Sequence, residues 1–284
     1  MNVAIIGHGF VGKALKNGLL NVETYIVDPK LKTKIEELSV FKPEIIFICV
    51  PTPMGKDGSQ DISIAIDVIE KIKRLPFDPL IVMKSSVIPS KILYMDSIID
   101  RFVYNPEFLR EKHANEDFIN SKLILFGGKK KDCEELGRFY DDHTKCKSNN
   151  YQLTDAISAS LCKYTINSYL ATKVIFFNEI INIFDKSETD EKWSNFTKLV
   201  SMDTRIGDSH MDVPGHDGRR GFGGACFPKD TSALLTYSQE LEAELGLLKK
   251  GININNLIRD EYNELTERER EQKVTFKLKG KGDD

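Results

Sequence analysis

Closely spaced glycines follow a short apolar stretch at the start of the chain, and few folds accommodate that combination. Residues 2–6 predict a β-strand, residues 7–12 (GHGFVG) a tight turn, and the segment up to residue 20 a helix. The first glycine makes the turn, the second lets a ligand approach the backbone, and the third lets the helix pack on the strand. The helix N-terminus offers N–H groups to phosphates. The pattern predicts a dinucleotide-binding unit whose cofactor contacts are Gly7, Gly9, Phe10, Val11 and Gly12.

An acidic residue follows the next apolar stretch. Residues 24–27 predict a second strand, and Asp28 comes directly after it, 21 residues beyond Gly7. A carboxylate at this position accepts hydrogen bonds from the adenosine ribose of a dinucleotide and repels a 2′-phosphate. The sequence therefore predicts NAD rather than NADP. The alternative is that Asp28 is only a turn residue before Pro29.

Strand-like and helix-like segments alternate through the first half of the chain. Runs rich in β-branched and aromatic residues predict further strands at residues 44–50, 80–84, 101–104 and 122–126. Amphipathic segments separate them, and this alternation is typical of an α/β fold with a doubly wound parallel sheet. Such sheets bind ligands beyond the carboxyl ends of their strands. We therefore expect a cleft where the loops 51–53, 85–86 and 105–111 follow three strands, although each loop also suits ordinary turn chemistry.

A long uninterrupted helix is predicted over residues 154–185, which contain neither proline nor glycine. Apolar residues occupy several of its faces, which predicts burial against its own domain and against a partner. Lys163 and Asn167 are four residues apart and so share one face. A lysine in such surroundings more often extends to solvent, which is the expectation from periodicity alone. If it were instead held in a cleft, it would be a cation placed to stabilise an oxyanion or a thiolate.

A single cysteine lies in a second glycine-rich stretch, GFGGACFPKD at residues 221–230. The glycines permit positive φ angles and a close approach of a ligand to the backbone. Cys226 is therefore a candidate nucleophile, and Lys229 could help to favour its thiolate. The alternative is a small buried cysteine in a tight turn.

Composition narrows the class of protein. The 284 residues, 40% of them hydrophobic, have room for about two domains, and the net charge of −3 with mixed signs favours neither nucleic acid nor an anionic membrane as partner. Five cysteines without CxxC spacing indicate reduced thiols in the cytosol and argue against a disulfide framework or a metal site. The chain starts directly with a strand pattern, and we expect neither a signal peptide nor a membrane span.

Seven motifs in order give the chain a resemblance to the UDP-glucose/GDP-mannose dehydrogenase family. They are GHGFVG at residue 7, VPTP at 50, KSS at 84, NPEFLRE at 105, KYTINSYLATKVIFFNE at 163, DTRIG at 203 and GFGGACFPKD at 221. The resemblance covers residues 1 to about 235, and the last motif is highly specific. It implies an NAD-dependent oxidation of a sugar CH2OH to a carboxylate, with UDP-glucose the expected substrate, in the cytoplasm and in the service of polysaccharide biosynthesis. It also implies a homodimer formed through the helix at 154–185.

The resemblance also implies a role for individual residues. Cys226 resembles the nucleophile that carries a thiohemiacetal and then a thioester, Lys163 and Asn167 resemble the groups that stabilise oxyanions, and Arg205 resembles an arginine that reaches the substrate across a dimer. The full expected set is, for catalysis, Cys226, Lys163, Asn167, Asp230, Glu107 and Glu111; for the cofactor, Gly7, Gly9, Phe10, Val11, Gly12, Asp28, Thr52, Ser86 and Lys229; and for the substrate, Phe108, Leu109, Arg110, Arg205 and Gly223.

The chain departs from the family after the cysteine motif. Relatives continue for more than a hundred residues with a domain that grips the nucleotide, whereas about fifty follow Asp230 here, and they are rich in charge. We expect an NAD-binding domain at 1–150, a small helical domain for dimerisation and catalysis at 151–250, and a charged, partly disordered tail at 251–284. A remote part of a substrate normally helps to align the reacting carbon, so loss of that domain would cost rate as well as affinity.

Two other functions remain open from the residues. The chain could be a two-electron hydroxy-acid dehydrogenase in which Cys226 plays no part, or a non-catalytic protein that binds NAD and a partner chain. The number of NADH molecules formed per substrate distinguishes these readings.

Overall fold

The computed structural model describes residues 1–276, which form two compact units. The first unit comprises Met1–Thr52 and Gln60–Lys163, and the second comprises Pro53–Ser59 and the chain from Tyr164 onward. The sequence placed the end of the first domain at residue 150. The first unit includes the strand Tyr151–Thr154 and ends at Lys163.

A seven-stranded sheet forms the centre of the first unit. Its strands are β1 Asn2–Ile6, β2 Glu23–Val27, β3 Ile45–Ile48, β4 Leu80–Met83, β5 Phe102–Tyr104, β6 Ile124–Gly128 and β7 Tyr151–Thr154. They lie in the order β2-β1-β3-β4-β5-β6-β7, and the first five are mutually parallel. The α/β fold and the positions of the first six strands are thereby confirmed. β1 and β3 are neighbours although the chain passes through β2 between them, so a crevice opens beyond their carboxyl ends.

Strand β6 departs from the expected parallel arrangement. It pairs antiparallel with β5, and β7 then pairs parallel with β6. The segment between β5 and β6 holds the 3-10 turn Glu111–His113 and the six-residue helix Ala114–Ile119, which packs against the helix Phe10–Gly18. After this segment the chain enters β6 in the direction opposite to β5.

Helices cover both faces of this sheet. They are α1 Phe10–Gly18, α2 Leu38–Phe41, α3 Ser63–Ile72, α4 Pro89–Ile98, α5 Ala114–Ile119 and α6 Lys130–His143, with 3-10 turns at Pro29–Leu31, Ile35–Glu37 and Glu111–His113. Ile46 and Ile48 belong to one hydrophobic cluster, and Ile45 and Phe47 to the other. β3 is apolar throughout because both of its faces are buried.

In the described part of the second unit, which ends at residue 276, the regular structure is helical. α7 Ala156–Lys186 begins in the first unit and continues into the second, which confirms the long helix expected at 154–185. It is followed by α8 Trp193–Ser201, α9 Phe227–Glu240, α10 Gly246–Asp260 and α11 Glu267–Glu271. Ala171, Ile175 and Phe222 form one core cluster of this unit, and Phe177, Met211 and Val213 form another.

Much of the expected charged tail is folded. Residues 251–276 complete α10 and contain α11, whose first turn is closed by a capping box between Thr266 and Glu269. The high charge of this segment predicted a disordered tail, because the residues that pair with these charges lie elsewhere in the sequence. The expected disorder of the last residues, 277–284, falls outside the described residues.

Candidate active site

The first glycine-rich loop has the backbone of a dinucleotide cradle. Gly7 adopts a φ of +94°, and a Cβ there would lie 2.5 Å from the carbonyl oxygen of Cys49. A Cβ on Gly12 would clash with the carbonyl oxygen of Gly7, so this glycine lets α1 pack directly on the turn. Among the described residues, no atom lies within 4 Å of the position of a Cβ on Gly9, outside its chain neighbours and the helix backbone. That open side leaves room for a pyrophosphate.

The N-terminus of α1 contributes to the same cradle. The helix begins at Phe10 and Val11, directly after Gly9, so the N–H groups of its first turn lie at the loop. This first turn contains no acidic residue, and the positive end of the helix is not neutralised from within. The arrangement suits phosphate groups.

Asp28 holds its carboxylate beside this loop. The N–H of His8 donates to Oδ2 over 2.7 Å, and the N–H of Lys30 donates to Oδ1 over 2.8 Å. The hydroxyl of Thr33 accepts a hydrogen bond from the N–H of Asp28 over 2.9 Å. Asp28 therefore caps the turn that follows β2 and also lies at the glycine loop, so its two expected roles are compatible.

Two loops at the carboxyl edge of the sheet are tied together. Thr52, after β3, donates from Oγ1 to the carbonyl oxygen of Ser86, after β4, over 2.9 Å. Gln60 donates to the same carbonyl over 2.6 Å and accepts from the N–H of Ile88 over 2.9 Å. The sequence analysis did not identify Gln60 as a site residue, because no recognisable motif surrounds it. With backbone N–H groups for phosphates and a carboxylate for ribose hydroxyls, these residues fit NAD.

A buried polar network lies under the loop that follows β5. The ammonium of Lys84 donates to Asn105 Oδ1 over 2.8 Å, and the hydroxyl of Tyr140 donates to the same oxygen over 2.6 Å. Asn105 in turn donates to the carbonyl oxygen of Leu125 over 3.0 Å. Burial lowers the pKa of Lys84, an effect opposed by Cys49 and Glu107. A cavity of about 20 Å³ beside this network has room for about one water molecule.

Lys163 is buried, and the expectation that it extends to solvent is wrong. Its Nζ donates to the carbonyl oxygen of Glu107 over 2.5 Å and lies 3.5 Å from Glu107 Oε1. The ammonium also lies 5.1 Å from the ring centroid of Phe108. Lys163 is 3% exposed and Glu107 is 7% exposed. Helical periodicity could not reveal this, because the partner lies far away in the sequence.

The rest of the loop after β5 is more exposed. Glu107 Oε2 accepts from the N–H of Leu109 over 2.6 Å, so the carboxylate also shapes its own loop. Arg110 donates to both carboxylate oxygens of Asp117, and these hydrogen bonds lower the pKa of Asp117. Glu111 is exposed at the start of a 3-10 turn. The first unit thus brings Lys163 and Glu107 together but leaves Arg110 and Glu111 at its surface.

Cys226 lies at the N-terminus of α9 in the second unit. It is the N-cap residue of this 14-residue helix, and its thiol is partly exposed. The positive end of a helix stabilises an anion, so the position suits a thiolate. Burial raises the pKa of Cys49 to about 12 and that of Cys133 to about 11, which makes both poor nucleophiles. Cys226 differs from Cys49 in its place at a helix N-terminus and from Cys133 in its partial exposure.

Three expected site residues meet near the start of α9. Asp230 is fully buried, and its two carboxylate oxygens have different partners. Lys229 Nζ lies 2.6 Å from Oδ1, and Asn167 Nδ2 donates to Oδ2 over 2.6 Å. The N–H of Asp230 donates to the carbonyl oxygen of Cys226 over 2.9 Å. Helical geometry thus connects this network to the backbone of the cysteine.

Two expected substrate residues of the second unit have different surroundings. The side chain of Arg205 is 86% exposed and forms a bidentate pair with Asp203. Gly223 faces the guanidinium of Arg259, which would clash with any Cβ at that position. Gly223 is therefore required for the close approach of Arg259, a reason that the local sequence does not reveal.

Two further searches of residues 1–276 bear on the class of protein. Their His, Cys, Asp and Glu side chains include no group of three arranged to hold a metal ion. None of the helices in this range has the length and hydropathy needed to span a membrane.

Known families match both parts of the chain. The NAD binding domain of the UDP-glucose/GDP-mannose dehydrogenase family matches residues 22–142, and the central domain of that family matches residues 157–257. The central-domain match includes the long helix and the cysteine loop.

Individual relatives agree with these matches. The UDP-glucose 6-dehydrogenase of Rickettsia bellii (strain RML369-C) is 38% identical over 198 residues, covering 67% of this chain and 44% of that protein. The UDP-glucose 6-dehydrogenase of Rickettsia prowazekii (strain Madrid E) is 30% identical over 298 residues, covering 90% of this chain and 67% of that protein. The solved structure of a UDP-glucose dehydrogenase from the hyperthermophilic archaeon Pyrobaculum islandicum has a TM-score of 0.72 at 25% identity, covering 90% of this chain and 68% of that chain.

This chain aligns with only part of the length of several relatives. It spans about half of some of them, with 44% and 50% of the proteins from Rickettsia bellii and Rickettsia felis (strain ATCC VR-1525 / URRWXCal2) covered. The NAD-binding match begins after the glycine cradle at residues 7–12, and the central-domain match contains the cysteine loop. This chain belongs to the UDP-glucose/GDP-mannose dehydrogenase family, and its cofactor is NAD.

Proposed function

We propose that this protein oxidises the CH2OH group of a nucleotide sugar, UDP-glucose in the first instance, to a carboxylate. The observation that carries the proposal is the thiol of Cys226 at the N-terminus of α9, inside the GFGGACFPKD loop. The choice of UDP-glucose follows the names of the relatives, which are UDP-glucose 6-dehydrogenases.

The first unit supplies the cofactor site in this proposal. Gly7, Gly9 and Gly12 leave space for the pyrophosphate, and Asp28 binds the ribose hydroxyls. NAD+, when bound, accepts a hydride in each of two successive oxidations. Thr52 and Ser86 hold the two loops at the edge of the crevice in place.

Cys226 holds the substrate between the two oxidations. Its thiolate adds to the aldehyde carbon and forms a thiohemiacetal, and loss of a second hydride converts this adduct into a thioester. Water then attacks the thioester carbon, the C–S bond breaks, and the carboxylate and the thiol are released. Overall, one alcohol, two NAD+ and one water give one carboxylate, two NADH and three protons.

Charged and polar side chains stabilise the intermediates. Lys163 supplies a buried cation, and the amide of Asn167 retains a second N–H beside the one bonded to Asp230, so both can serve a developing oxyanion. Asp230 and Glu107 are the carboxylates assigned to position or deprotonate water. Lys163 already bonds to the backbone of Glu107, which restrains the base and the cation together.

Exposed apolar residues on α7 favour a homodimer. Tyr169, Phe176 and Ile183 are spaced by seven residues and are 61%, 56% and 62% exposed, so they form one apolar face. A soluble monomer rarely exposes such a row of large side chains. In the dimer, the exposed Arg205 of one protomer is assigned to the substrate of its partner. The five cysteines, none of them in a disulfide, fit a reducing cytosol.

A coupled assay tests this function. Purified protein is incubated with NAD+ and a panel of UDP- and GDP-sugars, and both NADH and sugar product are quantified. The proposal expects two NADH per UDP-glucose and a uronic acid product. One NADH per substrate would instead indicate a two-electron hydroxy-acid dehydrogenase. NAD binding without turnover of any sugar nucleotide would indicate a non-catalytic partner protein.

A further inference from the structure

Three backbone N–H groups of the cysteine loop donate to side chains from three different helices. Gly221 donates to Asn178 Oδ1 on α7 over 3.0 Å. Phe222 donates to Asn255 Oδ1 on α10 over 2.6 Å. Gly224 donates to Glu269 Oε1 on α11 over 3.0 Å. The loop before Cys226 is thus held through its backbone by residues distant in the sequence.

All three acceptor side chains are buried. Asn178 is 2% exposed, and both Asn255 and Glu269 are fully buried. Burial of an amide or a carboxylate is costly unless it is hydrogen-bonded. The loop N–H groups offset part of that cost, and the side chains in turn give the loop a defined position. Gly221 and Gly224 have φ angles of +73° and +77°. Regular helices and strands do not contain such conformations, so their hydrogen-bond ladders cannot fix the position of this loop.

An arginine charge completes the arrangement. Arg259, 2% exposed, donates from Nη2 to Glu269 Oε1 over 3.0 Å and to Asp217 Oδ2 over 2.7 Å. Its guanidinium occupies the space that a side chain at Gly223 would need. The cation compensates the carboxylate that holds Gly224. A buried carboxylate without such a partner would be strongly unfavourable.

We propose that Asn255, Arg259 and Glu269, here called the anchor residues, are positioning residues for Cys226. They act through the backbone of residues 221–224 and fix the point at which the chain enters α9. This inference rests on the proposed role of Cys226 as the nucleophile. It assigns to the charged segment after α9 a direct part in the geometry of the reacting centre.

The physical need follows from the glycines. Glycine gives the loop access to unusual φ angles but also the largest freedom of any residue. A nucleophile must lie within a few tenths of an ångström of its productive position, and a displacement of about 1 Å costs roughly 100-fold in rate. Rigid hydrogen bonds to the loop backbone reconcile these two demands.

The test compares two substitutions at one anchor residue with a matched control. Glu269→Ala removes the acceptor of the Gly224 N–H and the capping-box acceptor of the Thr266 N–H, whereas Glu269→Gln keeps one side-chain oxygen for Gly224 and leaves Arg259 paired with Asp217. Glu267→Ala changes an exposed glutamate of the same helix. For each variant we would measure amide hydrogen exchange of the peptide spanning 220–226, the melting temperature, and kcat and KM well below that temperature.

The expected pattern separates positioning from simple stability. Glu269→Ala should speed exchange in residues 220–226 and lower kcat by roughly 10- to 100-fold, with KM within about threefold of the wild type. Glu269→Gln should restore most of both properties, and Glu267→Ala should change neither. A loss of melting temperature with unchanged loop exchange and unchanged kcat would overturn the inference.

The exchange measurement does not depend on turnover. If no sugar nucleotide is oxidised by the wild type, the proposed function fails, yet the exchange result still decides whether the anchor residues hold the loop. Should Glu269→Ala fail to fold, Asn255→Ala removes the acceptor of the Phe222 N–H without touching the ion pair. Failure of both variants to fold would contradict the inference, because it would assign these residues to the stability of the whole unit.

Discussion

Asn167 donates its amide N–H to Asp230 over 2.6 Å, which joins two residues 63 positions apart in the sequence. The other carboxylate oxygen of Asp230 lies 2.6 Å from the ammonium of Lys229. Asp230 is therefore both a structural centre and a candidate base. A comparison of stability with turnover separates the structural role from the catalytic one.

Replacement of Asp230 should destabilise the second unit. Asp230→Asn leaves the buried Lys229 without its carboxylate, and loss of one partner of a buried ion pair costs about 3 kcal/mol or more. Urea unfolding at neutral pH measures this. Asp185→Asn, at an exposed position of α7, is the control and should be nearly neutral. Equal stability of the wild type and Asp230→Asn would show that the ion pair contributes nothing.

Gly9→Ala and Gly12→Ala, both in the first glycine loop, should affect different properties: the first NAD binding and the second the stability of the fold. Gly9 has a φ of −73° and open space at its Cβ position, so Gly9→Ala should preserve the fold and weaken NAD binding by at least about tenfold, or 1.4 kcal/mol. Gly12→Ala would force a clash with the carbonyl oxygen of Gly7 and should destabilise the fold by about 1–3 kcal/mol. Calorimetric NAD titration and urea unfolding measure the two effects. Unimpaired NAD binding by Gly9→Ala would remove the pyrophosphate from that position.

Local sequence was sufficient to predict this cradle because its requirements are local. The positive φ of Gly7, the packing of Gly12 and the capping of the next turn by Asp28 all depend on neighbours in one βαβ unit. The same reasoning located α7, which lacks helix breakers along its full length. Backbone preferences and close contacts between adjacent elements determine the glycine cradle and α7.

Ion pairs and hydrogen bonds between residues distant in the sequence could not be predicted. The burial of Lys163 depends on the carbonyl oxygen of Glu107, 56 residues earlier, and the burial of Arg259 depends on Asp217 and Glu269. From a single sequence, charged residues whose partners are so distant are predicted to be exposed to solvent. The reversal of β6 was also missed, because an alternation of strand-like and helix-like segments does not give the direction of an individual strand.

The Asp217–Arg259 pair should make stability depend on pH. Burial alone would raise the pKa of Asp217, but its hydrogen bond to Arg259 and the charge of that residue outweigh burial and lower the pKa. A lowered folded-state pKa stabilises the fold above the unfolded value of about 4, and this contribution is lost as pH falls through the folded value.

Comparison of Asp217→Asn with the wild type isolates this contribution. The variant should be less stable by about 1–2 kcal/mol at pH 7, and the difference should shrink below about pH 4. Urea unfolding from pH 7 to pH 3 measures it, with exposed Asp212→Asn as the control. A difference that stays constant over this range would show that the carboxylate charge is not responsible.

The apolar face of α7 should control the oligomeric state. Phe176→Glu places a charge in that face and should convert a dimer of the 32.3 kDa chain into a monomer, because burial of an unpaired charge opposes association. Light scattering coupled to size exclusion measures the mass. Leu93→Glu on α4, at 54% exposure compared with 56% for Phe176, should leave the mass unchanged. A wild-type protein that is already monomeric would contradict the proposed dimer.

The thiol of Cys226 is the centre of the proposed chemistry, and its removal is the most direct measurement. Cys226→Ser and the control Cys162→Ser would each be incubated with NAD+ and UDP-glucose, and the uronic acid formed would be quantified. Because serine at pH 7 is a far weaker nucleophile than a thiolate, Cys226→Ser should form no acid above background, whereas Cys162→Ser should match the wild type. Acid formation by Cys226→Ser at the wild-type rate would contradict the covalent mechanism.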